Sequence, residues 1–498
     1  MAPTPRRAPS RSRSSTSSSR SSPRVVVKTG APRAVPSMWS SSSSGQSLGL
    51  FPSWLRTTLG PLLLIAVTLP FPSIIAHACT DSVIAGSGQA LALTLIRDPI
   101  GLIVASLRVP TRGAMIALAV HTAWQILLLR ILPGRVYTGP LTAAGETPKY
   151  RDHGISAFLL TIFAFFAFSS WNPFVVSHLP PVLQYSPTIF YTEYVPLLTL
   201  LPTGALLLCG ALYIKGLTCP SSRDSGSSGN IVTDLFWGTE LYPRILGVDV
   251  KQLINCRHAL MLWALIPLSF LAHSIEQHSL TLAQVVNTLL QCVYVMKFFL
   301  WESGYMASMD IAHDRAGYYL CWGCMAFVPS MYLVHSWWLV TAIDRAVAVD
   351  VYFPDLSPAS ALGILLAGLI AIALNYDADR QRQAVRSGTA KTVWGRKPVI
   401  VRAPYITESG ERRESILLAS GYWGIARHWH YVPEIAAAFF WTLPVRTASS
   451  LPYMYVSFLT ILLIDRAYRD DARCAAKYGV KWEEYKKLVP YKIIPGIL

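Results

Sequence analysis

A polytopic membrane fold built from helices is predicted by two observations. Of the 498 residues, 52% are hydrophobic and 14% charged, with a mean hydropathy of +0.39; soluble domains carry about a quarter charged residues. The charge is also segregated. Residues 1–50 hold eight basic groups and no acid, residues 51–375 hold sixteen of each sign, and residues 376–498 hold nineteen basic against eleven acidic. The formal +16 therefore sits at the two ends. Basic flanks stay on the cytosolic side, which puts both ends there and the neutral middle in the membrane.

Three regions follow in order. Residues 1–47, with runs such as RSRSSTSSSRSS, cannot bury enough apolar surface to fold and are expected to be a disordered tail. As a spacer, an organelle transit peptide or a basic arm, it keeps three open readings. Residues 48–375 are expected to form the transmembrane bundle. Apolar stretches of spanning length lie near 55–78, 100–108 merging into 113–133, 155–171, 190–215, 257–275, 284–300, 318–342 and 359–375. The sequence around Arg97-Asp98-Pro99 is too broken to span cleanly. Residues 376–498 begin with NYDADRQRQAVR overlapping the last span, continue through a strand-tolerant piece, and then show two short apolar runs, 434–445 and 451–464. These read as a helical hairpin that enters the membrane and returns, followed by a charged amphipathic helix.

The eight cysteines show no disulfide framework, and Cys321-Trp-Gly-Cys324 reads as two small residues in an apolar helix rather than half a zinc site. No metal is expected, because the eleven histidines form no clustered HxxxH and HxxHH sets.

Four polar constellations stand out. In TDLFWGTELYPR (233–244), acid, aromatic, proline and arginine crowd between two spans; a functional loop and a capped re-entrant turn both remain open. Glu302, Asp310 and Asp314 lie between apolar runs at spacings that put them near one helix face, where they would raise one another's pKa and keep one acid protonated. Capping of a helix end is the alternative. Arg382 and Arg386, one turn apart with Arg380 nearby, make a forked cationic face suited to phosphate, although a basic stop-transfer flank looks similar. In LLASGYWGIARHWHY (417–431), helical spacing aligns Trp423, Arg427 and Tyr431, with His430 beside them and Ser420, Gly421 and Gly424 on a bare neighbouring face. A binding site and a buried structural arginine stand equal there.

These residues resemble a known family. LLASGYWGIARHWHY resembles the sterol reductase signature around an SGxWGxxRHxxY core, and RDDARCAAKYGVKWEEYKKLVPYKIIPGIL resembles that family's C-terminus. FWGTELYPR, MDIAHDRAGYYLCWGC and NYDADRQRQAVR are similar to its delta-7 branch, the 7-dehydrocholesterol reductases, in their plant-like form. The resemblance implies an all-α fold of about ten spans in the endoplasmic reticulum membrane, with a cytosolic, NADPH-binding C-terminal half. A plastid or nuclear-envelope location is the alternative. Carried over by motif, the cofactor positions fall on Arg382, Arg386, Leu418, Trp423, His430, Tyr431, Asp470, Cys474, Ala475, Ala476, Lys477, Tyr478 and Tyr485. Two departures are visible: Tyr242-Pro243-Arg244 stands where many members have Asn-Pro-Arg, and His430 where others have Asn.

The reaction so implied is reduction of the C7–C8 double bond of a delta-5,7 sterol. A buried acid protonates the alkene, and hydride is delivered to the adjacent carbon. The acid is expected among Glu302, Asp310 and Asp314, relayed through Tyr305 or Tyr485. Sterol and membrane lipid are the expected partners, with other sterol-pathway membrane enzymes and without nucleic acid. Three rivals are a delta-14 sterol reductase, a methyltransferase of the isoprenylcysteine group, and a non-catalytic nuclear-envelope tether like the lamin B receptor.

Overall fold

The computed structural model describes residues 54–139, 142, 145–181, 184–406, 412–446 and 449–497. The tail expected over 1–47 lies outside them. Among the described residues seven helices are long and apolar enough to cross a bilayer: Leu55–Thr80, Arg112–Ile131, Tyr194–Thr218, Gln252–Glu276, Leu282–Leu300, Tyr318–Ala348 and Pro358–Arg386. The pair Gly88–Arg97 and Pro99–Ser106, bent by 115°, makes an eighth if counted as one broken span. The expected ten would also need the shorter apolar helices Gly154–Ala167 and Tyr431–Val445.

Local chemistry sets these boundaries. At the bend the Asp98 carboxylate accepts from Gly101 N and Pro99 opens a new helix, so the chain restarts rather than continues. The run 100–108 does not merge into 113–133 as expected. Pro110 precludes a continuous helix, and Thr111 caps the next one through Ala114 N. Thr281 and Gln284 form a reciprocal capping box at the start of Leu282–Leu300.

The most enclosed spans, Gln252–Glu276 and Tyr318–Ala348, are 72% and 78% buried, against 22% for Arg112–Ile131, which therefore lies at the rim. A closed polar lattice ties the core helices. Trp263 Nε1 donates to Gln291 Oε1 (3.0 Å), Gln291 Nε2 to Asn287 Oδ1 (2.9 Å), and Asn287 Nδ2 to the Trp441 carbonyl (2.6 Å).

Pro358–Arg386 starts at a Ser357 cap with Pro358 in its first turn. Its 29 residues span about 44 Å, more than the ~30 Å hydrocarbon slab, and its sequence turns polar at Asn375. Its last three turns therefore project beyond the slab. Around this projecting end sit an antiparallel hairpin, Ile400–Ile406 with Arg412–Leu418, and the helices Tyr431–Thr442, Met454–Tyr478 and Val480–Leu488. The amphipathic C-terminal helix expected as a separate element is continuous with the second apolar run in the single 25-residue helix Met454–Tyr478. Two smaller hairpins, Arg135–Thr138 with Lys149–Asp152 and Arg244–Ile245 with Val248–Asp249, complete the sheet among the described residues.

Candidate functional site: a cationic cradle beside a buried acidic turn

At Gly421 the backbone takes φ +60°, and a β-carbon would strike the Gln381 side chain. Tyr422–Ile425 makes a single helical turn and Ala426 is extended, so Trp423, Arg427 and Tyr431 do not share the helix face that their spacing predicted. They wrap the end of the long helix instead. Trp423 donates Nε1–H to the Ala378 carbonyl (2.8 Å), and its ring lies 3.9 Å from the Arg382 guanidinium, which Asp379 also holds at 2.9 Å. His430 packs between Trp423 (4.7 Å) and Tyr431 (4.3 Å). Arg386 is exposed, with Nε donating to the Ile416 carbonyl (3.1 Å).

The far wall comes from the C-terminal helices. Buried Tyr485 donates to the Leu418 carbonyl (3.0 Å), while Cys474, Ala475 and Tyr478 pack on the hairpin core of Val401, Ala403 and Leu417. Asp470 lies 3.8 Å from His428. Ala476 and Lys477 are exposed, and the Lys477 ammonium sits 4.0 Å over the Tyr405 ring. Arg427 is the buried structural arginine of the two readings. It donates to the Val489 (2.7 Å) and Pro490 (2.9 Å) carbonyls, approaches Asp471 at 3.3 Å, and so pins the C-terminal segment under the cradle.

Burial takes His428 down to about 4 and His430 well below the ordinary imidazole range, with Arg382 adding to both, so both rings are neutral at pH 7. Burial pushes the Cys474 thiol and the Tyr485 hydroxyl up to about 12, and both keep their protons. His430 Nδ1 is buried with no hydrogen-bond partner among the described residues.

The three acids do not share a face, because 302–318 is not one helix. Glu302–Tyr305 and Met309–Ala312 are separate short turns. Glu302 is locked to Arg257 at 2.8 Å, both side chains almost wholly buried, with Gln252 at 3.4 Å. Burial raises its carboxyl against the pull of Arg257. Asp310 is half-buried and hydrogen-bonded to Tyr305, whose hydroxyl also accepts from Asn255 Nδ2 (3.0 Å). The Cys324 thiol donates to Asn255 Oδ1 and so fixes which end of that amide faces Tyr305. Asp314 is hydrogen-bonded to Tyr319. Burial raises Asp310, Arg466 lowers it, and Asp314 raises it further.

Two elements clamp this turn. Lys251, fully buried, donates to the Ile311 and Asp314 carbonyls (2.6 Å each), and Tyr242 donates to the Ala312 carbonyl (3.2 Å). Gly238 and Gly317 cross so closely that a β-carbon on either would meet the other's backbone within 2.6 Å. In the 233–244 motif, Asn230 caps Ile231–Trp237, Asp234 accepts from Ser227 and Ser228, and buried Glu240 pairs with Lys215 at 2.9 Å. It is a capped turn that buttresses the acids.

Arg466 brings the two clusters together, since its charge acts on Asp310 and also on His430 and Tyr431. Sequence reasoning passed over Arg466, Lys251 and Asn255. The signal for each was a polar group at the border of an apolar run, as in ILLIDRAYRDD and VDVKQLINC.

Comparison with known proteins follows the same lines. Residues 72–498 match the family described as "Ergosterol biosynthesis ERG4/ERG24 family". The chain is 44% identical to a 7-dehydrocholesterol reductase of Arabidopsis thaliana over 395 residues, 78% of this chain and 86% of that one. It is 32% identical to a 7-dehydrocholesterol reductase of Xenopus laevis over 401 residues, 76% and 80% of the two chains. It is also 32% identical to a Delta(14)-sterol reductase of Methylotuvimicrobium alcaliphilum over 386 residues, 76% and 83%. With the match running from the first spans through the cradle and the acidic turn, this chain belongs to the ERG4/ERG24 family of sterol reductases.

Proposed function

We propose that the chain reduces the C7–C8 double bond of delta-5,7 sterols with NADPH, in the endoplasmic reticulum membrane with its cradle facing the cytosol. The observation that carries this reading is the juxtaposition, through Arg466, of an aromatic and cationic cradle with a burial-raised acid. The higher identity to a plant 7-dehydrocholesterol reductase favours the delta-7 bond over delta-14.

The cradle residues fit the cofactor. Arg382 and Arg386 form a fork for phosphate, Trp423 offers a flat face, and His430 Nδ1 is a buried polar atom without a partner. Leu418, Tyr431, Asp470, Cys474, Ala475 and Tyr478 would line the rest, with Tyr485 as a wall; Ala476 and Lys477 stand at its outer edge. NADPH supplies the hydride.

The chain's own residues supply the proton and the dry setting. Asp310 is the proton source and Tyr305 the relay, because their hydrogen bond is oriented by Asn255 and Cys324 and their turn is held by Lys251. Glu302 serves the scaffold through Arg257, and Tyr485, whose proton is committed to Leu418, serves the cradle. One carbon of the alkene takes the proton and its neighbour takes the hydride.

The test is expression in a yeast that accumulates delta-5,7 sterols, read by gas chromatography. Delta-5 products are expected. Reduction confined to delta-14 bonds would replace this reading by that of the delta-14 branch, and no change at all would remove it.

A further inference from the structure

One carboxylate within the bundle belongs to neither cluster. Glu434 lies on Tyr431–Thr442, one turn beyond Tyr431, in a helix otherwise apolar to its end. Its Oε1 accepts a short hydrogen bond from the Tyr294 hydroxyl. Its Oε2 is differently placed. The cation paired with it among the described residues, Lys297 Nζ, is 3.8 Å away, beyond hydrogen-bond reach, and that ammonium also donates to Asn375 Oδ1 at 2.5 Å. Glu434 retains 16% side-chain exposure although it sits among buried aromatics, and Oε2 makes no hydrogen bond among the described residues.

The surroundings say which ligand suits it. Glu434 is close enough for its charge to act on both Tyr332 and Tyr455, whose rings lie tilted by 48° with centroids 4.5 Å apart. The Asp310 charge also reaches Tyr332. A ligand lying along Tyr332 would meet the proton source at one place and Glu434 at another. Such a ligand must be largely apolar to enter and must offer one hydroxyl proton to a carboxylate. Lys297 Nζ itself lies 4.4 Å over the ring of Tyr294, whose hydroxyl already holds Glu434.

We propose that Glu434 Oε2 accepts the ring hydroxyl of the sterol and so fixes which end of the substrate lies over Tyr305 and Asp310. This rests on the sterol reading above. It also makes Glu434 a specificity determinant that the cofactor positions do not include.

The experiment uses the full chain in nanodiscs with three delta-5,7 substrates: the 3-hydroxy sterol, its 3-methyl ether, and the 3-deoxy analogue. In the parent chain, kcat/KM should favour the hydroxy sterol over both analogues by about tenfold or more, since a charged acceptor left unpaired is costly. Glu434→Gln, which keeps the shape and adds an N–H donor, should narrow the gap to the ether, and Glu434→Leu should bring all three within about threefold. NADPH KM should stay within about threefold throughout.

Unchanged substrate ratios in both variants would overturn the proposal while leaving the reductase reading intact. So would a large shift in NADPH KM with the sterol ratios preserved, since that moves Glu434 to the cofactor. Binding of labelled sterol, followed in parallel, separates the two readings. A hydroxyl preference in binding that depends on Glu434, without reduction of any delta-5,7 sterol, would uphold this inference and remove the proposed reaction; loss of both would remove both.

Discussion

At the scale of single residues, Arg466 carries the most. Burial raises the Asp310 carboxyl and the Arg466 cation opposes that rise. Removing the cation by Arg466→Leu leaves only Lys251 and the Tyr305 hydrogen bond opposing burial and Asp314, so the Asp310 pKa moves further up. Because the proton donor is the protonated form, activity falls as pH rises through that pKa. The alkaline limb of the kcat profile should therefore move to higher pH in Arg466→Leu, and an unmoved limb would separate Asp310 from proton donation. The sequence displayed the acids but not their partners. Glu302, Asp310 and Asp314 stood out as charges in apolar surroundings, yet only the break of 302–318 into two short turns sends Glu302 to Arg257 and leaves Asp310 with Tyr305. Glu434, equally exposed in the sequence by its apolar flanks, was obscured by being read as part of a membrane hairpin.

Among elements, the spans were legible and their joins were not. Apolar length marked most helices to within several residues, because a run such as 284–300 has one way to satisfy its backbone in lipid. The joins depend on single polar contacts, such as Asp98 on Gly101, or on π-helical turns such as Gly323–Phe327, which have no compositional signature. The Arg257–Glu302 pair is such a contact between elements, joining the span Gln252–Glu276 to the turn that carries Tyr305. Breaking one side leaves a buried charge unpaired, so Arg257→Met should destabilise the protein by about 3–5 kcal/mol. Glu302→Gln added to it should restore part of that loss. Thermal unfolding in detergent measures both, and an unchanged Tm in Arg257→Met would show the pair to be solvated.

For the whole molecule, the charge segregation divides the chain. The basic C-terminal quarter forms the cradle around the projecting end of Pro358–Arg386, while the neutral middle forms the apolar bundle. Within the C-terminal part, Arg427 ties the 417–431 stretch to the backbone of Val489 and Pro490. Arg427→Leu should raise NADPH KM by about tenfold or more through loss of two charged hydrogen bonds that hold the wall, with sterol binding changed little. Parallel equilibrium binding of sterol and cofactor checks this, and equal loss of both would make Arg427 a requirement of the fold rather than of the cradle.

The reach of Arg466 to both clusters has a thermodynamic consequence. A polyanion seated in the cradle offsets the field of that guanidinium at Asp310, and the carboxyl then holds its proton more tightly. By reciprocity the protonated chain holds the polyanion more tightly in turn. Under the proposed function, proton uptake and cofactor arrival would be linked events, with the acid loaded most fully when a hydride source is at hand.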